Sequence, residues 1–300
     1  MGAKKGEHEM SKIIFSIDSA CDIPQSKMDE HNIYNISYKI TMGNDVFTDR
    51  VDIDPQKIYD FVAKTKKLPK TSAVNTQEML EFFKGIREKE GDVPIIHTVI
   101  GKNFSLTYQN AVEAAKQLEN VYIIDSSSLS SGIALLVLYA IEDIYAAGET
   151  DAKVIADKMQ KKAYQGTGGV QASFVLDTLE FLHKGGRCSG LARFGANLLK
   201  IKPTIAVKNG KMDSVDKMRG RQSDVILKYI DKLMAEYGDK IDKRRAFVTH
   251  TLSDEGLETA ALEKVNGLGF EEVIHQIAGC TITTHCGKNT LGLLFLLKDE

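Results

Sequence analysis

The first half of the chain alternates short apolar runs with amphipathic segments, and this alternation constrains the fold more than any other feature. The apolar runs are short enough for buried strands, and the segments between them carry apolar residues at helical spacing. Strands that alternate with helices in this way lie parallel, with helices on both faces of the sheet. The sequence therefore predicts an α/β/α layer structure, with strands at 13–17, 33–42, 94–100 and 121–124 and helices at 55–67, 76–90, 105–118, 132–147 and 151–164.

Glycines at 166, 168 and 169 interrupt this alternation and suggest a junction between two domains. After them, Asn209-Gly210 lies between two apolar runs and predicts a type I′ hairpin. Further strands are predicted at 170–175, 246–251, 273–277 and 291–297. Helices are predicted from 179 to 183, ended by Gly185-Gly186, and at 223–236 and 255–265. We expect a parallel-sheet α/β/α domain over residues 12–165, a smaller α/β domain with a mixed sheet over residues 166–300, and a disordered leader over residues 1–11.

The charge and hydropathy of the chain exclude several functions. The net charge is −2 and the Lys and Arg residues are spread along the 300 residues, so we expect no nucleic-acid partner. The longest apolar run, 133–141, is far shorter than the ~20 residues of a membrane span, so we expect none. The polar start lacks the apolar core of a signal peptide, which favours a cytoplasmic location.

Metal and cofactor sites have little support in the sequence. Cys21, Cys188, Cys280 and Cys286 fit neither a zinc spacing nor a CxxC motif, so we expect free thiols and no metal. Asp18, Asp22 and Asp125 follow strands, where such carboxylates more often cap turns than bind cations. The chain contains no Walker A loop and no GxGxxG motif, so we expect no nucleotide cofactor.

Two polar clusters far apart in the chain are the main candidates for a site. Thr283–Gly287 reads ThrThrHisCysGly, and it predicts a loop between two strands that exposes His285. Residues 70–72, LysThrSer, offer two hydroxyls next to the start of a predicted helix, which suits an anion or an ordinary cap. Residues 101–108 could similarly form an anion-binding nest or cap the helix through Ser105.

Seven motifs in register resemble the DegV family, bacterial proteins that bind a long-chain fatty acid. The resemblance extends over about residues 12–298. It is carried by IleAspSerAlaCysAspIlePro at 17–24, LysThrSer at 70–72, SerLeuThrTyrGln at 105–109, IleIleAspSer at 123–126, ThrLeuGluPheLeuHisLysGlyGlyArg at 178–187, LysIleLysPro at 200–203 and ThrHisCysGly at 284–287.

This resemblance implies a carboxylate held between two domains by Thr71, Ser72 and His285, with the acyl chain in an apolar tunnel. The tunnel walls could come from the apolar segments 133–141, 174–176 and 291–297, which could equally be plain core. It implies the same division into a parallel-sheet domain and a mixed-sheet domain. It also implies a carrier without chemistry of its own, which some members of the family present to a separate ATP-dependent fatty acid kinase for phospholipid synthesis. Further candidates around the same head group are Lys102, Asn103, Ser105, Arg187 and Gly287.

The sequence departs from the family pattern at this head group, and two alternative functions stay open. Gly101-Lys102 replaces a serine pair that is usual in the family, so the Lys102 ammonium could act as the missing donor. This change leaves room for a different small anion as the ligand. An acyl hydrolase using His285 and a nearby serine or cysteine is the second alternative, although the GxSxG elbow of serine hydrolases is absent.

Overall fold

The computed structural model describes residues 12–164, 169–188 and 201–299. The elements of the first half are β1 (Ile14–Asp18), α1 (Gln25–Glu30), β2 (Tyr34–Ile36), β3 (Lys39–Met42), β4 (Asp45–Thr48), α2 (Pro55–Thr65), β5 (Lys70–Ser72), α3 (Thr76–Glu90), β6 (Ile95–Val99), α4 (Thr107–Ala115), β7 (Val121–Asp125), α5 (Ser131–Leu138) and α6 (Ala152–Ala163). A π-helical stretch, Tyr139–Tyr145, extends α5.

The second half contains β8 (Val170–Gln171), β9 (Ser173–Val175), α7 (Glu180–Lys184), β10 (Lys202–Lys208), β11 (Lys211–Met218), α8 (Gln222–Tyr237), β12 (Ile241–His250), α9 (Glu255–Asn266), β13 (Glu272–Ile277), α10 (Cys280–Cys286) and β14 (Leu291–Leu297). Within the described residues, no helix is long and apolar enough to cross a bilayer.

The predicted parallel sheet is present, with strand order β2-β1-β6-β7. All residues of β1 and β6 are buried, which requires cover on both faces. His97 of β6 meets Phe82 and Phe83 of α3 on one face, and Phe15 of β1 meets Tyr145 beyond α5 on the other. Because neighbouring side chains of a strand alternate between faces, α3 and α5 cover opposite sides of the sheet.

The second half forms the predicted mixed sheet, with strand order β11-β10-β9-β14-β12-β13 and β8 paired to β14. Only β12 and β13 pair in parallel, and the other neighbours are antiparallel. The Asn209-Gly210 turn joins β10 and β11, and both residues have positive φ as a type I′ turn requires. The hairpin prediction is therefore confirmed.

A third sheet corrects the prediction of one strand over residues 33–42. The predicted strand is interrupted between β2 and β3. β3 does not join the parallel sheet and instead pairs antiparallel with β4 and β5. The tripeptide LysThrSer is therefore itself the edge strand β5 rather than the start of a helix. The edge strand β5 of this small sheet contacts α10 of the second half.

The two halves share part of their apolar core. Phe247, Ile274, Leu294 and Leu296 of the mixed sheet belong to the same buried cluster as the parallel sheet. The predicted domain boundary between residues 165 and 166 lies outside the described residues, as do the predicted leader and most of the glycine-rich junction. The division into two domains stays a prediction.

Candidate functional site

Thr71 and His285 are in direct contact although 214 residues separate them in the sequence. The Thr71 Oγ1 atom lies 2.8 Å from the His285 Nε2 atom, within hydrogen-bonding distance. Thr71 comes from β5 in the small antiparallel sheet, and His285 comes from α10 in the second half. The two polar clusters of the sequence therefore meet at one point between the halves.

His285 lies in the last turn of a short helix and not on the predicted loop between strands. Carboxylates from the first half cap the start of this helix: Asp22 accepts from the Gly279 amide, and Asp49 accepts from the Cys280 and Thr281 amides at 2.7–3.1 Å. The Thr281 hydroxyl also donates to Asp49. These bonds satisfy amides that a helix start leaves without partners, so tertiary contacts make a β-branched segment helical.

The His285 ring is largely buried and is neutral at physiological pH. Burial, with a smaller contribution from the positive charge of Arg187, lowers the pKa of His285 to about 4. Its Nδ1 atom is buried without a hydrogen-bond partner among the described residues. The ring therefore keeps one nitrogen free for a further bond.

Gly185 makes room for this ring. A Cβ atom at Gly185 would lie 2.9 Å from His285 Nδ1 and 3.0 Å from the Phe181 carbonyl oxygen, which is too close for either. The neighbouring Arg187 donates to the Gly185 carbonyl at 2.6 Å and lines the same cavity. The predicted stop of α7 at Gly185-Gly186 thus positions the histidine as well as ending the helix.

A cavity of about 470 Å³ opens beside Thr71 and His285. Leu106 lines the cavity although it is 65% exposed, so it lies on the rim. A large apolar side chain this exposed to solvent is unusual beside a closed core. Residues from both halves line the cavity, and the apolar ones are Ala73, Ile100, Phe104, Leu106, Leu129, Ala172, Phe174, Leu182, Met212, Ala278, Ile282 and Leu294. Such a volume and lining are typical of small-molecule sites.

The tunnel walls expected from the sequence are only partly present. Phe174 and Leu294 line the cavity, as expected for the segments around them. The long apolar run at 133–141 does not line it, because α5 covers the parallel sheet and its residues are core. Val175 and Leu176 are likewise buried in the cores of the second half.

Ser72 and Gly287 lie outside the cavity lining. Side chains alternate along a strand, so Ser72 points away from the side on which Thr71 meets His285, and it is exposed. Gly287 ends α10 with a φ of 72°, and a Cβ atom there would lie 2.6 Å from the Phe181 ring. Gly287 therefore serves packing, while the role predicted for the Ser72 hydroxyl stays a prediction.

Lys102, Asn103 and Ser105 line the cavity, but their polar atoms are already engaged. The Lys102 ammonium lies 3.4 Å from Asp125 and 3.1 Å from the Tyr164 hydroxyl. The Asn103 amide donates to the Gly210 carbonyl, and Ser105 accepts the Thr107 amide at the start of α4. The loop is thus a helix start, as one interpretation of residues 101–108 predicted.

The anion nest suggested for the same loop is not free. The Gly101 amide donates to the Ser128 carbonyl, the Lys102 amide donates to Asp125, and the Phe104 amide donates to the Gly101 carbonyl. Amides that are already bonded within the protein cannot bind an anion without breaking those bonds.

The aspartates that follow strands act as caps. Asp18 accepts the Ala20 and Ile100 amides, and Asp125 accepts the Lys102 and Ser127 amides. Together with the role of Asp22 at α10, these bonds give all three carboxylates the capping role that the more common interpretation predicted.

Several cavity residues were missed in the sequence. Tyr38, Thr249, His250 and Thr251 all line the cavity, at the ends of strands or beside them. Polar residues at the end of the buried strand β12 were the available signal, because ligands bind at strand ends in α/β folds. Tyr38 had no such signal, since it lies at the unpredicted break between β2 and β3.

Comparisons with known proteins identify the family of this chain. The family model described as "uncharacterised protein, DegV family" matches residues 12–298. A Thermotoga maritima protein named fatty acid-binding protein is 28% identical over 291 residues, covering 94% of this chain and 96% of its own.

Two solved structures share the fold over nearly the whole chain. A DegV family protein from Thermus thermophilus, described for its fatty acid binding, has a TM-score of 0.84 at 23% identity and covers 95% of this chain and 99% of its own. A stearic acid-binding protein from Eubacterium ventriosum has a TM-score of 0.80 at 22% identity, with 96% and 99% covered. The match of the family model over almost the full length, together with this fold, establishes that the chain belongs to the DegV family.

Proposed function

We propose that this protein binds one long-chain fatty acid, with the carboxylate at Thr71 and His285 and the acyl chain in the adjoining cavity. The observation that carries the proposal is the 2.8 Å contact between Thr71 Oγ1 and His285 Nε2 at the wall of a largely apolar cavity of about 470 Å³. A polar pair beside an apolar space matches a ligand with one charged end and a long hydrocarbon chain.

Burial of the acyl chain supplies the affinity in this proposal. Each methylene removed from water contributes about 0.8 kcal/mol, so about 14 methylenes contribute roughly 11 kcal/mol before losses. The loss of translational and internal freedom on binding offsets much of this gain. The affinity therefore depends on how much of the chain the cavity covers.

The polar pair offsets the cost of burying the carboxylate and fixes its orientation. A carboxylate in an apolar cleft without hydrogen bonds costs several kcal/mol, and each charge-assisted bond returns about 1.5–3 kcal/mol. Because Thr71 and the neutral His285 ring share one hydrogen bond, the pair keeps one hydrogen for the ligand, either the Thr71 O–H or the His285 Nδ1–H. The Arg187 guanidinium lines the same cavity and adds a positive charge, with no acidic partner among the described residues.

The names of relatives support this assignment. The Thermotoga maritima relative is named a fatty acid-binding protein, and the Eubacterium ventriosum structure is that of a stearic acid-binding protein. We extend this ligand class to the present chain because its two polar residues and its cavity have the chemistry that such a ligand needs.

We further propose that the protein is a carrier that presents its acid to a separate ATP-dependent fatty acid kinase in the cytoplasm. The resemblance to the family motivates the kinase, and the free thiols of Cys21, Cys280 and Cys286 fit a reducing compartment. A purified kinase of this class, ATP and the loaded carrier should yield acyl phosphate, and the empty carrier should yield none. Equal turnover of free acid with and without the carrier would contradict this role.

The two alternatives receive less support from the contacts. The anion hypothesis was motivated by Lys102, whose charge is already paired with Asp125. The hydrolase hypothesis needs an activated nucleophile, but burial raises the pKa of the Cys286 thiol to about 12, so its thiolate is scarce. The Ser130 hydroxyl is bonded to Asp22 and not to a histidine.

Native mass spectrometry of protein purified from a bacterial host tests the proposed ligand. We expect one fatty acid per chain, released and identified by organic extraction. Protein that is empty and fails to bind palmitate or oleate added in solution would overturn the proposal. A different extracted metabolite at one per chain would favour the anion hypothesis instead.

A further inference from the structure

Two histidines of the mixed sheet meet at a wall of the cavity. His250 ends β12, is buried, and lines the cavity, while His275 of the neighbouring strand β13 is 36% exposed at its side chain. Their Nε2 atoms lie 2.6 Å apart and their ring planes differ by only 4°. The carboxylate of Glu258 on α9 lies beside both rings, 3.1 Å from His275 Nε2 and 3.7 Å from His250 Nε2.

The two rings meet end to end in one plane. The ring centres are 4.8 Å apart and the two Nε2 atoms are 2.6 Å apart. The difference is about twice the distance from the centre of an imidazole ring to one of its atoms. The line between the centres therefore passes close to both nitrogens, as it does in an N–H···N hydrogen bond and not in a face-to-face stack. One proton lies between the two nitrogens.

The backbone determines which histidine supplies that proton. The Leu252 amide donates to His250 Nδ1 at 3.0 Å, so Nδ1 carries no hydrogen and Nε2 does. His250 is then the donor and His275 Nε2 the acceptor. The position of His250 at the cavity and of His275 at the surface makes this hydrogen bond a link between the ligand space and solvent.

The same contacts argue against a metal ion, although His250, Glu258 and His275 could supply three ligand atoms. A histidine that binds a metal through Nε2 keeps a hydrogen on Nδ1 and donates it to an acceptor. Here Nδ1 of His250 faces an amide donor instead. Two ligands of one tetrahedral ion would also stand further apart than these nitrogens do.

A second proton cannot be accommodated in this arrangement. If His275 Nε2 is protonated, two N–H groups face each other across 2.6 Å. The Leu252 amide keeps the lone pair of His250 on Nδ1, so His250 Nε2 cannot become the acceptor. The Glu258 carboxylate is the acceptor placed to take the His275 N–H, and among the described residues it has no Lys or Arg partner. The rings must then separate.

We propose that the His250–His275 pair is a pH-sensitive latch in the cavity wall, which opens when His275 takes up a proton from solvent and bonds to Glu258. Opening displaces His250, a wall residue, and lowers the affinity of the cavity for its ligand in acid. Burial and the neighbouring His275 lower the pKa of His250 to about 4, so the buried ring does not take the second proton near neutral pH. The effect on affinity rests on the proposed function, whereas the shared proton does not.

Nitrogen NMR of the ligand-free protein tests the shared proton directly. With ¹⁵N-labelled histidine at neutral pH, we expect a coupling between two imidazole nitrogens across the hydrogen bond, lost on acidification and absent from His275→Gln. Its absence from the wild type at neutral pH would overturn the proposal. So would stoichiometric binding of Zn²⁺ that replaces the shared proton.

Binding of cis-parinaric acid, a fluorescent long-chain acid, tests the latch. Between about pH 7.5 and about pH 5.5, where histidines change charge, wild-type affinity should fall several-fold more than that of His275→Gln. Glu258→Gln, on a helix surface, should also move the loss of affinity to lower pH. The matched control His31→Gln, a partly buried histidine near Glu142, should keep the wild-type profile.

Equal pH profiles for wild type, His275→Gln and Glu258→Gln would overturn the latch even if the shared proton is observed. A wild type that binds no acid at either pH would instead contradict the proposed function. In that case the NMR measurement still decides whether the pair shares a proton.

Discussion

In the proposed site, His285 would bind an anion without being charged beforehand. Its ring is held by Thr71 on one side and by the surface of Gly185 on the other, and its Nδ1 atom has no partner among the described residues. Because the pKa of His285 is about 4, the ring is uncharged at neutral pH, so the empty site contains no buried imidazolium that would destabilise the fold. A bound carboxylate would then find a donor already in position.

Removing either member of the polar pair should weaken binding of a fatty acid. We expect Thr71→Ala and His285→Ala each to cost roughly 1–3 kcal/mol, the usual effect of losing a charge-assisted hydrogen bond. Isothermal titration with palmitate measures this cost. Ser72→Ala is the matched control, because the exposed Ser72 side chain lies outside the cavity lining and should change affinity only slightly. An effect of Ser72→Ala as large as that of Thr71→Ala would show that the strand presents both hydroxyls to the ligand.

Adding a methyl group at Gly185 should disturb the site without a change in polarity. Gly185→Ala places a Cβ atom 2.9 Å from His285 Nδ1, so the ring must shift and affinity for the acid should fall. Gly85→Ala is the control, since its Cβ would meet no atom within 4 Å in the middle of α3 and should stabilise the fold by about 0.4–1 kcal/mol. Unchanged binding in Gly185→Ala would mean that the ring position is not critical.

The helix α10 connects the two halves through its first turn. Asp22 and Asp49, from the first half, accept its first free amides, and His285 lies at its last turn. A local sequence rich in β-branched residues favours extended backbone, so this helix depends on those carboxylates. The position of the histidine is thus determined by residues more than two hundred positions earlier in the chain.

Loss of the Asp49 carboxylate should therefore affect both stability and binding. We expect Asp49→Ala to lower the free energy of unfolding by about 1–3 kcal/mol, because buried amides lose their acceptor, and to weaken acid binding as α10 loosens. Urea unfolding and titration with palmitate measure the two effects. Asp54→Ala removes the N-cap of α2 and should cost about 0.5–2 kcal/mol of stability while leaving affinity unchanged. Equal effects of both variants on binding would contradict a specific role for α10.

The helices and strands that could be predicted from the sequence are those whose local pattern agrees with their surroundings in the fold. Strands such as β1, β6 and β14 are largely apolar and buried, so their local signal agrees with their environment and their prediction was right. The loop predicted around His285 and the single strand over 33–42 were wrong, because tertiary capping at α10 and a change of sheet between β2 and β3 are not encoded in local periodicity. The contact between Thr71 and His285 needed the family resemblance, since no local pattern joins residues so far apart.

Across the whole molecule, buried titratable groups make stability depend on pH. Burial raises the pKa of Asp18 from 3.8 to about 7, so in this interval the folded protein holds a proton that the unfolded chain has released. The stabilising effect of this proton is full below about pH 4 and is lost as pH rises through about 7. Burial lowers the pKa of His97 to about 3, which acts in the opposite sense: its contribution is lost as pH falls from about 6.5.

We expect Asp18→Asn to flatten the loss of stability between about pH 5 and about pH 8, whatever its effect on the absolute free energy of unfolding. Urea unfolding of both proteins at the two pH values measures this difference. His97→Gln should instead remove part of the acid sensitivity below about pH 6. A wild type and an Asp18→Asn variant with parallel pH profiles would show that this carboxyl does not hold its proton in the folded state.

A crystal structure with bound palmitate would show whether residues from the two halves of the chain jointly bind one end of a fatty acid. We expect the carboxylate within hydrogen-bonding distance of Thr71 Oγ1 and the His285 ring, with the acyl chain extending past Phe174 and Leu294. Palmitate bound elsewhere on the protein, or bound in the cavity with its methyl end at Thr71 and His285, would contradict it.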